Sequence, residues 1–349
     1  MKFQVYITFT ALALFLFSCN GDQQRRPAPD VSQLSAEVEL IRYDQLLKKI
    51  DAEKPQQSYL DLLTEHPAMT DLYFKQLTSL YEEDQSKFYN NISEFATDSR
   101  ITSLADTVSS IYSDMSEMET SLEQALKYLK HYFPAYQAPR FYTIFSEFSY
   151  QSFIFADSDG RDAVGLGLDL FLGETFDYKK VDPSNPAFSA YLSRAYNGDH
   201  LPKKAIEMLV EDLIGKPDGK RFLDLMIHQG KKQYILEQLM PHTVDTILWE
   251  YTPAQMEWVK SNELQMWDFF LDQNLIYETS HLKTAHFLQP APTSKGMPDV
   301  SPGRTGGYMG YKIISSLMKR KPNLSLKGLV ELKNSQGIME EARYKPARK

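Results

Sequence analysis

Cysteine is all but missing from this chain of 349 residues: it occurs once, at Cys19. Without a second thiol, neither a disulfide nor a cysteine metal site can staple the fold. Excess positive charge is missing as well. The formal net charge is −8, which argues against nucleic acid as a partner, because phosphates demand a basic face. After residue 18 no apolar run is long enough to span a membrane, since a spanning helix needs about 20 residues. The HExxH pattern is absent. The histidines are His66, His131, His200, His228, His242, His281 and His286, and they offer no pair four apart on one helix with a glutamate between, as a zinc peptidase needs. No repeat of fixed period is present, which argues against a solenoid.

What the chain does have begins at its N-terminus. Lys2 supplies a positive start, residues 3–17 are almost wholly apolar, and Leu16-Phe17-Ser18-Cys19 reads as a lipobox. This predicts a lipoprotein signal peptide over residues 1–18, with Cys19 as the lipidation site. A thiol at the first mature position becomes the thioether to a diacylglycerol, and each buried CH₂ of the anchor adds roughly 0.8 kcal/mol. Lipid would then be the only membrane attachment. Residues 19–36 are polar and proline-bearing, which predicts a flexible tether. Asn20-Gly21-Asp22-Gln23 contains a single acid, which favours the periplasmic face.

Apolar residues make up 42% of the chain and aromatics 13%, enough for an ordinary globular core. Residues 37–43 alternate as a short strand. From 44 to 133 the spacing is helical, with helices expected over 57–65, 68–80, 85–96 and 99–112, and then a stripe of Met118, Leu122, Ala125, Leu126, Leu129 and Phe133 ended by Pro134. Residues 140–148, 151–156 and 163–172 are rich in β-branched and aromatic residues and predict an antiparallel sheet of about three strands. Helices are expected from Pro202 to about Ile214 and over 219–239, and two more should begin at Thr252-Pro253 and Ser301-Pro302. The fold class is α+β, mostly helical with a small antiparallel sheet. A helical region (37–137) should pack with an α+β region (138–349) as one domain.

Several side chains carry chemistry worth weighing. Asp157, Asp159 and Asp162 surround Gly160, but a calcium loop wants glycine two positions later, so a hairpin turn is the better reading. In His228-Gln229-Gly230-Lys231-Lys232 a cation stands where a second imidazole would be required. Glu263 falls on the apolar stripe of the helix after Pro253, where a carboxylate must be paired or face a cavity. Between Ser301 and Lys319 there are four glycines at four-residue spacings, which let another backbone approach closely; Arg304, Tyr308 and Tyr311 could line a cleft there. Trp249, Trp258 and Trp267 could stack on sugars.

Three strings, YTPAQMEWVKSNELQMWDFFLDQNLIYET (251–279), FLQPAPTSKG (287–296) and SPGRTGGYMGYKIISSLMK (301–319), resemble the C-terminal half of the gliding motility lipoprotein family GldB. VELIRYDQLL (38–47), LTEHPAMTDLYFKQL (63–77) and FLDLMIHQGKKQYILEQLMP (222–241) are similar to its other segments, in order. The resemblance implies a lipid-anchored protein of the cell envelope, with envelope proteins of the motility machinery as partners and no cofactor. The family is in turn distantly similar to zincin-type predicted zinc peptidases. That implies a zincin-like core with residues 202–214 and His228-Gln229-Gly230 in the places of the metal helices, but without metal ligands. A non-catalytic lipoprotein acting through protein contacts is the leading expectation. The alternatives are a metal-dependent peptidase with irregular ligands such as His228 and Glu211, and a glycan-binding lipoprotein.

Overall fold

The structure, a computed structural model, describes residues 28–346. The expected signal peptide, Cys19 and the first part of the tether lie outside the described residues. The unit that carries the fold begins at Val31. Val31 is buried, Leu34 and Ala36 pack on the core, and the Lys130 ammonium donates to the Ser35 carbonyl at 3.1 Å. The tether expected over 19–36 therefore gives way to folded chain at Val31, because its last apolar residues have a core to enter.

Four strands form one sheet: β1 (Glu39–Ile41), β2 (Arg140–Ile144), β3 (Ser152–Ala156) and β4 (Asp162–Gly167), in the order β1-β2-β4-β3. β1 runs parallel to β2, pairing Leu40 with Phe141, and β2 runs parallel to β4. Only β3 and β4 are antiparallel, joined by the turn at Gly160 (φ 81°). The α+β, mostly helical class stands, but the sheet is mixed rather than antiparallel. Parallel neighbours cannot be joined by a tight turn and need a crossover of a dozen residues or more, and here β1 meets β2 across about a hundred residues of helix. Two expected strands also end early. The chain leaves the sheet at Phe145, before Glu147 and Phe148 turn left-handed, and residues 168–171 wind into a 3₁₀ turn.

The N-terminal helices follow the spacing closely: α1 (Tyr43–Leu47), α2 (Pro55–Glu65), α3 (Pro67–Leu72, continued as a π turn to Leu77), α4 (Gln85–Thr97), α5 (Ser99–Ile111) and α6 (Ser116–Tyr132). Asp84 caps α4 by accepting from the Ser86 amide at 2.9 Å, and Asp98 caps α5 by accepting from Arg100 at 2.7 Å. Each cap satisfies amides that the first turn cannot. α6 carries Glu117 and Glu119 in its first turn and Lys130 and His131 in its last, matching the helix dipole.

The second half is built on α7 (Leu201–Ile214), α8 (Phe222–Leu239), α9 (Pro253–Ser261), α10 (Glu263–Asp272), α11 (Thr305–Arg320) and α12 (Ser335–Ala342). α7 packs on β3 and β4 and on α8, while α8 crosses α11. That crossing is backbone against backbone. A Cβ placed on Gly310 would stand 1.8 Å from the Met226 carbonyl oxygen, and one on Gly230 would stand 2.3 Å from the Gly310 carbonyl carbon. The glycine spacing in 301–319 thus serves tight helix packing. α11 starts at Thr305, not at Ser301-Pro302, because Tyr251 Oη donates to the Gly303 carbonyl (2.6 Å) and Ser294 Oγ to that of Pro302 (2.7 Å), holding 301–304 out of the helix. The single helix expected after Pro253 breaks at Asn262, whose side chain donates to the Trp258 carbonyl at 2.8 Å.

Candidate functional site

α7 is apolar on the face that meets the sheet, yet Lys203 and Glu207, four residues apart, both point inward. Lys203 is only 1% exposed in its side chain and donates to Glu207 at 2.6 Å and to Glu250 at 2.8 Å. Glu250 sits on the turn before α9 and is the hub of the group. It also accepts from Lys204 (2.6 Å) and from Arg304 (2.5 Å). Lys232 of α8 closes the other side, bonded to Glu207 at 2.8 Å and to Glu211. Arg194 reaches in and donates to the Glu250 carbonyl at 2.8 Å.

The electrostatics follow from burial. Desolvation alone would raise the carboxyls, but the surrounding ammonium and guanidinium groups outweigh it and hold Glu250 and Glu207 well below the usual carboxylate range. Burial lowers Lys203, against the pull of Glu207 and Glu250. Burial also works to lower Arg304 and Lys232, but their carboxylate partners raise both.

This lattice forms the floor of a cleft with two lobes. A more polar lobe of about 400 Å³ is lined by Gln151, Gln229, Gln233 and Gln289 with Lys232. A second lobe of about 580 Å³ is lined by Phe148, Leu170, Val181, Phe188 and Leu192. Lys204 and Arg304 line both. Glu147 (φ 51°), Phe148 (φ 62°), Glu250 (φ 53°) and Arg304 (φ 60°), all on the second lobe, are in the left-handed region. Such residues cost about 1–3 kcal/mol each and persist only where surrounding structure holds them, and they cluster at functional sites. Asp169 fixes the first two, accepting from the Ser146 and Phe148 amides at 2.9 and 2.6 Å. Burial pushes its carboxyl up to about 6.

The residues singled out from sequence fall in several places. Arg304 lies in the cleft. Tyr308 and Tyr311 stand behind Trp249, with ring centroids 5.2 and 5.4 Å away, and Tyr311 donates to Glu237 at 2.6 Å. Glu263 is the first residue of α10 and is paired with Lys312 (2.9 Å) and with the Tyr344 hydroxyl (2.5 Å), a structural clasp on the C-terminal segment. His228 borders a small cavity with Asp218, Lys231 and Lys333; burial first, then Lys231 and Lys232, lowers its pKa. Trp249 is buried and borders the polar lobe, while Trp258 and Trp267 are partly buried and pack against the core. Asp157 is taken up by Arg140 (2.7 Å) and Tyr142 (3.0 Å), and Asp159 by Arg161 (2.8 Å), so the turn is held by arginines.

A zinc ion does not fit the donor set on α7. The inward positions four apart are an ammonium and the carboxylate bonded to it, and an ammonium cannot ligate. Among the described residues, no three His, Cys, Asp or Glu side chains converge as a cation would need. Sequence reasoning passed over Lys203, Lys204, Glu207 and Glu250. The available signal was a lysine in the first turn of an apolar helix with a glutamate four residues on.

No helix among the described residues is long and apolar enough to cross a membrane. The model of the family described as gliding motility protein GldB matches residues 24–346. No curated protein and no solved structure matches the chain.

Proposed function

From the premise that the chain belongs to the gliding motility protein GldB family, a group of motility-associated lipoproteins of the cell envelope, we propose a non-catalytic role in gliding, exerted through protein contacts. Lipid on Cys19 anchors the protein, and its folded part faces the periplasm. The core is a peptidase-like scaffold in which fixed charges stand where a metal site would be. The observation that carries the non-catalytic reading is the lattice of Lys203, Glu207, Lys232, Glu250 and Arg304, which fills the inner face of α7 with mutually bonded ions. Such a lattice leaves neither an open ligand position nor a way to activate a metal-bound water.

Deletion of the gene in a gliding host tests this. Surface spreading is expected to stop and to return with the wild-type chain, while the Cys19→Ser chain should lose acyl labelling and fail to restore it. Cells that spread normally without the gene would overturn the role. Full rescue by an unlabelled Cys19→Ser chain would overturn the anchor.

A further inference from the structure

We propose that the free edge of β3 takes an extended segment of a partner polypeptide as a fifth strand, beside the cleft. The inference rests on the protein-contact reading above and gives that contact a mode. Hydrogen bonding is the first support. β3 is an outer strand of the sheet and pairs with β4 alone. The Gln151 carbonyl accepts from the Gly167 amide at 3.0 Å, and the Asp157 amide donates to the Arg161 carbonyl at 2.8 Å. In the register that sets Ser152 opposite Leu166 and Ala156 opposite Asp162, Gln151, Phe153, Phe155 and Asp157 therefore bond toward β4. The amides and carbonyls of Ser152, Ile154 and Ala156 point the other way. Among the described residues nothing bonds these six groups. Ser152 and Ile154 are half-buried and Ala156 is exposed, so an incoming strand would satisfy main-chain groups that the fold itself leaves unpaired.

The composition of the edge is the second support. Edge strands are commonly blunted by charge, proline or a bulge. Ser152-Phe153-Ile154-Phe155-Ala156 carries no charge and no proline, and its pairing with β4 is continuous over all five residues. Such an edge is a template for another strand. The cleft is the third support, and it selects the occupant. Gln151 and Ser152 line the polar lobe of about 400 Å³; a single extended chain enters that space, and a second globular copy does not. Lys204, Lys232 and Arg304 are taken by Glu207, Glu211 and Glu250, so the polar lobe selects for no charge. It suits a main chain, which is neutral and carries a donor and an acceptor at nearly every residue. The side-chain amides of Gln229 and Gln289, which likewise donate and accept, line the same lobe and serve the segment's other edge. Gln151 also lines the second lobe, where Phe148, Val181, Phe188 and Leu192 receive an apolar side chain of the segment.

The test uses the full chain in detergent and a fluorophore-labelled peptide with blocked ends, Gly-Thr-Val-Gln-Leu-Thr-Val-Gly, read by anisotropy. Two further peptides carry N-methyl groups on alternate amides, one at Val, Leu and Val, the other at Thr, Gln and Thr. An added strand turns only one of these sets toward β3, so one methylated peptide should bind at least about ten-fold more weakly than the other. Ser152→Pro removes an outward amide at the first residue of an edge strand, where proline is tolerated. It should weaken the unmethylated peptide roughly ten-fold and leave the urea midpoint of the protein in place. If Ser152→Pro unfolds, Ala156→Pro decides, because that residue is exposed and its amide points the same way; the same weakening is expected. No binding of the unmethylated peptide, equal loss with both methylated sets, or full binding by a folded proline variant would each overturn the inference. So would a dimer of the full chain that Ser152→Pro dissolves, since a second copy would then hold the edge. None of these outcomes bears on whether deletion stops gliding.

Discussion

Replacing Glu250 with Gln keeps its size and removes its charge. The Glu250 carboxylate takes Lys203 at 2.8 Å, Lys204 at 2.6 Å and Arg304 at 2.5 Å, with 8% of its side chain exposed. An amide oxygen can still accept from one or two of them, but the amide nitrogen then points a donor at a cation. Breaking a buried ion pair by removing one partner costs about 3–5 kcal/mol, mostly for the charge left uncompensated. Here three cations lose a shared partner, and Glu207, which already bonds Lys203 at 2.6 Å, can offset only part of the loss, so the upper part of that range, about 4–5 kcal/mol, is expected. That is a large share of a typical stability of about 5–15 kcal/mol. Urea unfolding of the full chain at neutral pH reads the loss as a lower midpoint at unchanged slope. The pH dependence gives an independent check. Because the folded-state pKa of Glu250 lies well below its ordinary value of 4.5, the stability it confers is fully present above that value and lost as pH falls below it. Wild type and Glu250→Gln should therefore differ by a constant amount between about pH 6 and 8 and converge below about pH 4. A loss under about 1 kcal/mol at pH 7, or a gap that does not narrow on acidification, would refute the reasoning.

Gly310→Ala must push α8 and α11 apart, since its Cβ would meet the Met226 carbonyl at 1.8 Å; a loss of about 3 kcal/mol or more is expected in the same urea assay. Gly307→Ala meets the Gln229 Cβ at 3.6 Å and the Arg304 Cβ at 4.0 Å, both ordinary contacts, and should stabilise by up to about 1 kcal/mol through helix propensity; a large loss there would refute the crossing geometry. Burial lowers His200 to about 4, so between the ordinary value near 6.5 and that point the unfolded chain holds a proton the folded one refuses. Stability should drop by about 2 kcal/mol from pH 7 to 5, and His200→Gln should flatten that slope in urea midpoints taken at the two pH values. Glu263→Gln removes the carboxylate that Lys312 and the Tyr344 hydroxyl share; the C-terminal segment should then become sensitive to limited proteolysis before the rest of the chain unfolds.

The helices were legible because their signals are local: the stripe of α6, the prolines opening α7 and α9, and the glycines of α11 all lie within a few turns of the residues they govern. The sheet was not. β1 is three residues long and its parallel place beside Arg140 depends on everything folded in between, which no period in the sequence encodes. The site was half legible for the same reason. Arg304 drew attention through its glycine-rich surroundings, but its partner Glu250 arrives from a turn fifty-four residues earlier, with a left-handed backbone that nothing in Trp249-Glu250-Tyr251 announces. Glu263 was placed on the stripe of one long helix; the Asn262 side chain, by bonding backward, made it the start of another and turned a candidate cleft residue into a clasp.

The shared carboxylates beneath the cleft also constrain how this lineage can vary. Swapping any one of Lys203, Glu207, Lys232, Glu250 or Arg304 strands its neighbours in the interior, so descendants that change one position are eliminated unless a compensating exchange arrives with it. Across related genomes these five columns should drift as a bloc, and no single-step route leads from this charged knot to a set of metal ligands.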